Sequence, residues 1–212
     1  MPNLSKNKSA RCAFIAMSTF TSVMLTSYIV MAILFGPCPN TEPMDKFEVA
    51  KYKGTWYELQ RDKDISFETG TCVTATYGTD SDNADYVSVD NTQYFPATDS
   101  FDKINGYAAA NSWFPGWINV YFFASFGANY RVMATDYDDY AIVYSCTTIG
   151  PFKYPEFSWL LARDPLVEGS AAWNTLIAKV EPLYKEWLPD YDRAGRMVTT
   201  GQGGSCKYSP LP

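Results

Sequence analysis

Eight strand-like segments follow one another between residues 54 and 163, and their spacing constrains the fold more than any other feature. They cover about 54–62, 71–79, 85–94, 101–110, 116–124, 129–136, 140–148 and 156–163. Turn residues separate them, for example Gly78-Thr79-Asp80 and Pro115-Gly116. Strands at hairpin spacing predict an all-β fold, an eight-stranded antiparallel up-and-down β-barrel. The interior of such a barrel is filled by side chains or holds one small ligand.

The pattern changes from strand to helix after residue 163. Asp164-Pro165 is typical of a helix cap and first turn. Apolar residues then recur at helical spacing: Trp173, Leu176, Ile177 and Val180. We therefore expect one C-terminal α-helix over about 166–181, packed on the outside of the barrel, with Pro182 discouraging its extension. Residues 197–200 favour a short ninth strand.

Composition excludes several classes of function. The chain has 212 residues, a size that fits one barrel domain over 37–212 once a leader is set aside. A net charge of −6 argues against nucleic acid, which needs clustered Lys and Arg. The sequence contains no histidine, which excludes Ser-His-Asp and Cys-His nucleophiles, histidine-ligated haem and most catalytic zinc sites. We expect a protein that is not an enzyme and that needs no cofactor or metal.

Residues 1–36 have the features of a secretory leader. Lys6, Lys8 and Arg11 form a basic start, and residues 12–36 carry no charge. This pattern is typical of a signal peptide, and Val30-Met31-Ala32 offers small residues for cleavage after Ala32. The uncharged run also reaches the length of a membrane-spanning signal-anchor, although its Ser and Thr residues weaken that interpretation. We expect the domain to be secreted or, as the alternative, anchored on the non-cytoplasmic side.

Four cysteines remain once the leader, which contains Cys12, is removed. An even number in an oxidising compartment indicates disulfides rather than redox chemistry. The four are Cys38, Cys72, Cys146 and Cys206, and they allow three pairings among which spacing cannot choose.

Three sequence blocks carry a family resemblance. The first is Gly54-Thr55-Trp56-Tyr57-Glu58, the second is Thr135-Asp136-Tyr137, and the third runs from Phe157 to Arg163 and on into Asp164-Pro165. In this order they resemble the lipocalin family, most closely its apolipoprotein D-like branch. The resemblance extends from Cys38 to Cys206, nearly the whole chain after the leader.

The resemblance implies structural roles for these blocks. It pairs Cys38 with Cys146 and Cys72 with Cys206. Trp56 and Arg163 should stack at the closed end of the barrel, where a guanidinium lies on an indole face. Residues 47–52 should form a helical turn that plugs this end. The structural motif also includes Gly54 and the loop residues Thr135, Asp136 and Tyr137. In this family the loop at the position of these three residues is sometimes proposed to contact receptors.

Strand alternation predicts which side chains line the interior. If Arg163 points inward, so do Leu161 and Trp159; from Trp56 the same rule brings Glu58 and Gln60 inward. The second strand adds Val73, Ala75 and Tyr77, the third adds Val87, Val89 and Asn91, and the fifth adds Tyr121 and Phe123. Tyr77, Asn91 and Trp159 also match positions that the apolipoprotein D-like branch uses in its pocket. The alternative is that these residues only fill a core.

Such a pocket is mostly apolar, with polar groups from Asn91, Tyr77 and Glu58. It suits a lipophile with one polar end: a sterol, fatty acid, retinoid, carotenoid or bilin. We therefore expect a secreted carrier that binds and transports a small hydrophobic ligand.

Two other interpretations stay open. The first is a lipid-modifying enzyme, which would need a free thiol or a carboxylate route through Glu58 or Asp136, and the sequence shows no paired-acid motif. The second is an interaction module that associates with a membrane or forms oligomers. Its surface would be the aromatic loop that includes Trp113 and Trp117, which we place at the pocket mouth as a lid or as a contact for a membrane, a lipoprotein or a second barrel.

Overall fold

The computed structural model describes residues 38–80, 86–110, 115–122, 127–149, 152–153 and 156–209. The leader predicted over 1–36 lies outside these residues. None of the described helices is long and apolar enough to cross a membrane.

Eight strands form a closed antiparallel barrel. They are β1 (Gly54–Asp62), β2 (Thr71–Thr79), β3 (Val87–Phe95), β4 (Ser100–Ala110), β5 (Trp117–Tyr121), β6 (Ala128–Thr135), β7 (Tyr140–Ser145) and β10 (Phe157–Ala162). Each strand up to β7 pairs with the next along the chain, β7 pairs with β10, and β10 pairs with β1 to close the sheet. The predicted fold is confirmed, with β5 shorter than expected.

A second compact unit contains Cys38 and a two-stranded sheet of β8 (Thr148–Ile149) and β9 (Phe152–Lys153). These strands are antiparallel, with Thr148 opposite Lys153. Within this unit the backbone N–H of Cys38 donates to Thr148 Oγ1 at 3.1 Å.

A short helix, α1 (Val49–Tyr52), precedes β1 and lies under the barrel interior. Tyr52 is buried, and Phe47 packs edge-on against it with the ring centroids 5.0 Å apart. Both side chains join the same buried cluster as the inward residues of the strands. The helix therefore closes one end of the barrel with apolar side chains.

The long helix α2 (Ala171–Trp187) packs against β6 and β7 from outside. Ser170 caps it by accepting a hydrogen bond from the N–H of Trp173. The predicted start at 166 is wrong, because Gly169 adopts a left-handed conformation that interrupts a helix. The predicted end before Pro182 is also wrong. A single proline removes one hydrogen bond, whereas the buried stripe continues past it to Tyr184.

A short helix, α3 (Arg193–Arg196), leads into β11 (Met197–Thr199), which pairs with β1. The predicted ninth strand is therefore present. Residues 200–206 then follow the seam between β1 and β2, whose direct pairing extends only from Gly54–Tyr77 to Tyr57–Thr74.

The tail replaces the missing pairs at this seam. The N–H of Thr200 donates to the carbonyl of Leu59, and the N–H of Cys72 donates to Gly201. The side-chain amide of Gln202 donates to the carbonyls of Glu58 and Val73, each at 2.9 Å. The tail therefore completes the barrel wall where β1 bulges after Glu58.

All four described cysteines are disulfide-bonded. Cys72 is bonded to Cys206 with the Cα atoms 5.4 Å apart, so the pairing that the lipocalin resemblance implies for these two is confirmed.

Candidate ligand-binding site

Arg163 lies directly on the ring of Trp56 at the closed end. Its Cζ is 3.7 Å from the ring centroid, and Trp56 is completely buried. Three guanidinium nitrogens donate to backbone carbonyls at 2.8–3.3 Å, those of Lys51, Tyr52, Lys53, Thr55 and Tyr137. Gly54 has a positive φ, and a Cβ there would lie 3.2 Å from the guanidinium. These contacts join α1, β1 and the β6–β7 turn, so the pair has an architectural role.

Thr135, Asp136 and Tyr137 organise the β6–β7 turn beside this end. Thr135 Oγ1 donates to the carbonyl of Tyr140 at 2.6 Å and accepts from the N–H of Tyr137 at 2.9 Å. One carboxylate oxygen of Asp136 accepts the N–H groups of Asp139 and Tyr140. The other accepts from Lys179 of α2 at 2.6 Å. The motif thereby fixes the turn and the outer helix to each other.

Three tyrosine hydroxyls meet inside the barrel above α1. Tyr130 of β6 is within 2.8 Å of Tyr52 and 2.9 Å of Tyr77, hydroxyl to hydroxyl. Burial raises the pKa of all three phenols, so they stay neutral. A cavity of about 20 Å³ lies beside them. Its remaining lining residues are largely apolar: Phe47, Val49, Lys53, Val87, Ala108, Ala110, Ile118 and Val120.

Several of the predicted lining residues lie in the interior. Tyr77, Val89 and Leu161 belong to the buried cluster, and Trp159 packs against it. Asn91 follows Val87 and Val89 on the same face of β3. Its amide oxygen is buried and has no hydrogen-bond partner among the described residues. A buried acceptor without a donor is rare in folded proteins.

A polar cluster occupies the interior farther from α1. Glu58 of β1 is buried, and Arg61 donates to its carboxylate at 2.8 Å. The hydroxyl of Thr200, from the tail at the seam, donates to the same carboxylate. Glu68, from the β1–β2 connection, accepts a 2.8 Å bond from the indole N–H of Trp159.

The two carboxyl groups of this cluster influence each other's protonation. Burial is the main cause that raises the pKa of Glu68 to about 8, and the neighbouring charge of Glu58 adds to it. Burial also raises the pKa of Glu58, while Arg61 opposes that effect. At neutral pH the pair therefore retains a proton, which we assign to Glu68.

Two predicted lining residues lie elsewhere. Gln60 points outward, because the bulge after Glu58 shifts the alternation and brings Arg61 opposite Trp159. Tyr121 stacks on the exposed Tyr107 on the outer face, with the ring centroids 4.9 Å apart. Its neighbour on β5, Val120, is the residue that faces inward. Phe123, predicted with Tyr121, lies outside the described residues.

The prediction that the aromatic loop lies at the pocket mouth is wrong. Ala110 and Ile118, which flank it, line the cavity beside α1, so this connection belongs to the closed end. Trp117 is half-buried, with the guanidinium of Arg131 4.3 Å from its ring centroid. Trp113 lies outside the described residues.

Sequence reasoning missed several residues of the interior, among them Tyr52, Tyr130, Arg61 and Glu68. Tyr130 was detectable, since it precedes the inward Val132 by two positions on a strand. Tyr52 was assigned to the plug without its hydroxyl bond to Tyr130. Arg61 depends on a bulge, and Glu68 lies in a connection, where alternation gives no information.

Taken together, these features define a class of protein: a β-barrel closed at one end, with an apolar interior that contains a few polar groups. Residues 47–183 match the model of the lipocalin-like domain. Rat apolipoprotein D is 36% identical over 132 residues, which are 61% of this chain and 68% of that protein.

Two solved structures show the same fold. Insecticyanin from the tobacco hornworm Manduca sexta aligns with a TM-score of 0.65 at 22% identity, over 84% of this chain and 93% of that one. Lobster apocrustacyanin A1 aligns with a TM-score of 0.59 at 23% identity, over 80% and 96% of the two chains. The chain belongs to the lipocalin family and is close to its apolipoprotein D-like members.

Proposed function

We propose that this protein binds a small hydrophobic ligand inside the barrel and carries it outside the cell. The observation that carries the proposal is Asn91, whose buried amide oxygen has no donor among the described residues. A barrel packed for stability alone leaves such a group paired, since an unpaired one costs about 1–3 kcal/mol. A ligand with a hydroxyl or N–H group at its polar end supplies the donor.

The described interior has to open before a ligand enters. The cavity of about 20 Å³ holds no more than one water molecule. Glu68 belongs to a connection rather than a strand, and its contact with Trp159 places its carboxyl group in the barrel. When Glu68 is displaced and Trp159 rotates, volume becomes available next to an apolar lining. Removal of apolar ligand surface from water then drives binding, at roughly 25 cal/mol per Å² before the costs of association.

Family membership and the cysteines support this function over an enzyme. Lipocalins are mostly binding and transport proteins. All four cysteines of the described chain are in disulfides, so none of them offers a free nucleophilic thiol. The disulfides also favour an oxidising, extracellular environment. Association with a membrane or lipoprotein and the formation of oligomers stay predictions.

The test is recovery of a ligand together with a fluorescence titration. Protein secreted by its source is analysed by native mass spectrometry, and a bound lipophile is the expected result. Titration of delipidated protein with retinol should quench tryptophan fluorescence. Trp159→Phe should lose most of this quenching, whereas Trp173→Phe, altered in the outer helix, should keep it. Absence of both a co-purifying lipophile and saturable quenching would refute the function.

A further inference from the structure

We propose that the carboxyl groups of Glu58 and Glu68 in the barrel interior select ligands by their polar end. A lipophile that ends in a hydrogen-bond donor, such as an alcohol, should bind more tightly than the same lipophile ending in a carboxylate. This inference rests on the proposed function, because it concerns the ligand proposed for the barrel interior.

The charges of the polar cluster are already balanced without a ligand. Glu58 and Arg61 form an ion pair at 2.8 Å, and their side chains are 3% and 12% exposed. Glu68 is protonated near neutral pH, as its raised pKa indicates. A ligand carboxylate would therefore bring an uncompensated negative charge into a buried site, which is strongly unfavourable.

The hydrogen-bonding groups point to the same preference. Donors of the cluster already have acceptors: Arg61 donates to Glu58 and to the carbonyl of Gly70, and the indole N–H of Trp159 donates to Glu68. The amide of Gln202 is likewise used by two carbonyls of the seam. The group left without a partner is an acceptor, the amide oxygen of Asn91. The interior thus has a buried acceptor without a partner among the described residues, so it favours a ligand that donates.

The preference persists if the ligand displaces Glu68. Arg61 stays bonded to Glu58, whose position is fixed on β1 and by the hydroxyl of Thr200. An entering carboxylate would compete with Glu58 for the guanidinium and would meet a like charge in a site of low dielectric. An entering alcohol can donate to Glu58 or Asn91 and accept from Trp159, whose indole N–H the departing Glu68 releases.

Retinol and retinoic acid provide a matched test, because they share one hydrocarbon body and differ at the polar end. Both are titrated at pH 7 into the disulfide-bonded protein, with tryptophan quenching as the readout. We expect retinol to bind at least about tenfold more tightly, the ratio that follows from one unfavourable buried charge that is partly relieved by solvent. Octadecanol and stearate, presented from the same carrier, form the second matched pair.

Two variants shift the balance of charge in opposite directions. Glu58→Gln leaves Arg61 without its carboxylate, so the affinity for retinoic acid should rise by roughly tenfold and that for retinol should change little. Arg61→Gln leaves Glu58 unpaired and should widen the preference for retinol. Glu186→Gln on the exposed face of α2 is the control and should leave the affinities for both ligands unchanged.

The outcomes separate the inference from the proposed function. Equal affinities for the alcohol and the acid, or tighter binding of the acid, overturn the inference while the carrier function stands. An unchanged ratio in folded Glu58→Gln also overturns it. If no member of either pair binds, the carrier function fails and the inference fails with it.

Discussion

Arg163→Ala is expected to lower the free energy of unfolding by about 4 kcal/mol. Three guanidinium nitrogens donate to backbone carbonyls of α1, β1 and the β6–β7 turn. A hydrogen bond contributes about 1 kcal/mol net, so the three nitrogens account for about 3 kcal/mol. The stacking of the guanidinium on Trp56 at 3.7 Å adds about 1 kcal/mol. Arg163→Lys keeps the charge and part of the donor capacity but loses the planar contact, and should cost about half as much.

Equilibrium unfolding in urea, followed by far-UV circular dichroism with both disulfides intact, measures these differences. Lys185→Ala is the control, because Lys185 is largely exposed and its ion pair with Glu181 is 3.6 Å long. It should change the free energy of unfolding by less than about 0.5 kcal/mol. A loss below about 1 kcal/mol in Arg163→Ala, or none in Arg163→Lys, would show that the closed end does not depend on this guanidinium.

Three further predictions follow from described contacts. The free energy of unfolding should fall by up to about 1 kcal/mol per pH unit as pH rises from about 5 to 8, because unfolded Glu68 ionises in this range while folded Glu68 keeps its proton. Glu68→Gln should reduce this slope in urea titrations. An unchanged slope contradicts the assignment of the proton to Glu68. The double variant Cys72→Ser, Cys206→Ser opens a link across 134 residues and should cost about 4–5 kcal/mol in the same assay; a loss near zero contradicts a stabilising role. Ser170→Ala removes the cap of α2 and should cost about 1 kcal/mol, whereas Ser170→Asp should recover it; equal stabilities would show that the cap is unimportant.

The barrel could be predicted because local signals and the global fold agree. Inward residues such as Val89 and Tyr77 alternate with outward residues along their strands, and turn residues mark the strand ends. Alternation from Trp56 and Arg163 therefore located Leu161 and Trp159 correctly within the interior. Hairpin spacing predicted the order of the strands, and the family resemblance carried by the motif residues implied the pairing of Cys72 with Cys206.

The remainder depends on contacts that a sequence does not display. The bulge after Glu58 turns Arg61 into the barrel and Gln60 out of it, and the local sequence does not indicate this bulge. The inward register of β5 differs by one residue from the prediction, which moves Tyr121 outside. Glu68 reaches the interior from a connection, so only the fold brings it to Glu58 and Trp159. The start of α2 depends on the conformation of Gly169.

The seam between β1 and β2 has a consequence for biosynthesis. Residues 197–206 supply hydrogen bonds that the two strands do not make with each other, and Gln202 joins both strands through one amide. A nascent chain that has emerged only as far as β10 can pair all eight strands but still has a gap beside Glu58. Closure of the barrel wall therefore has to wait for synthesis of these late residues. A stop codon placed shortly before them should give a barrel with an open wall that retains its ligand poorly.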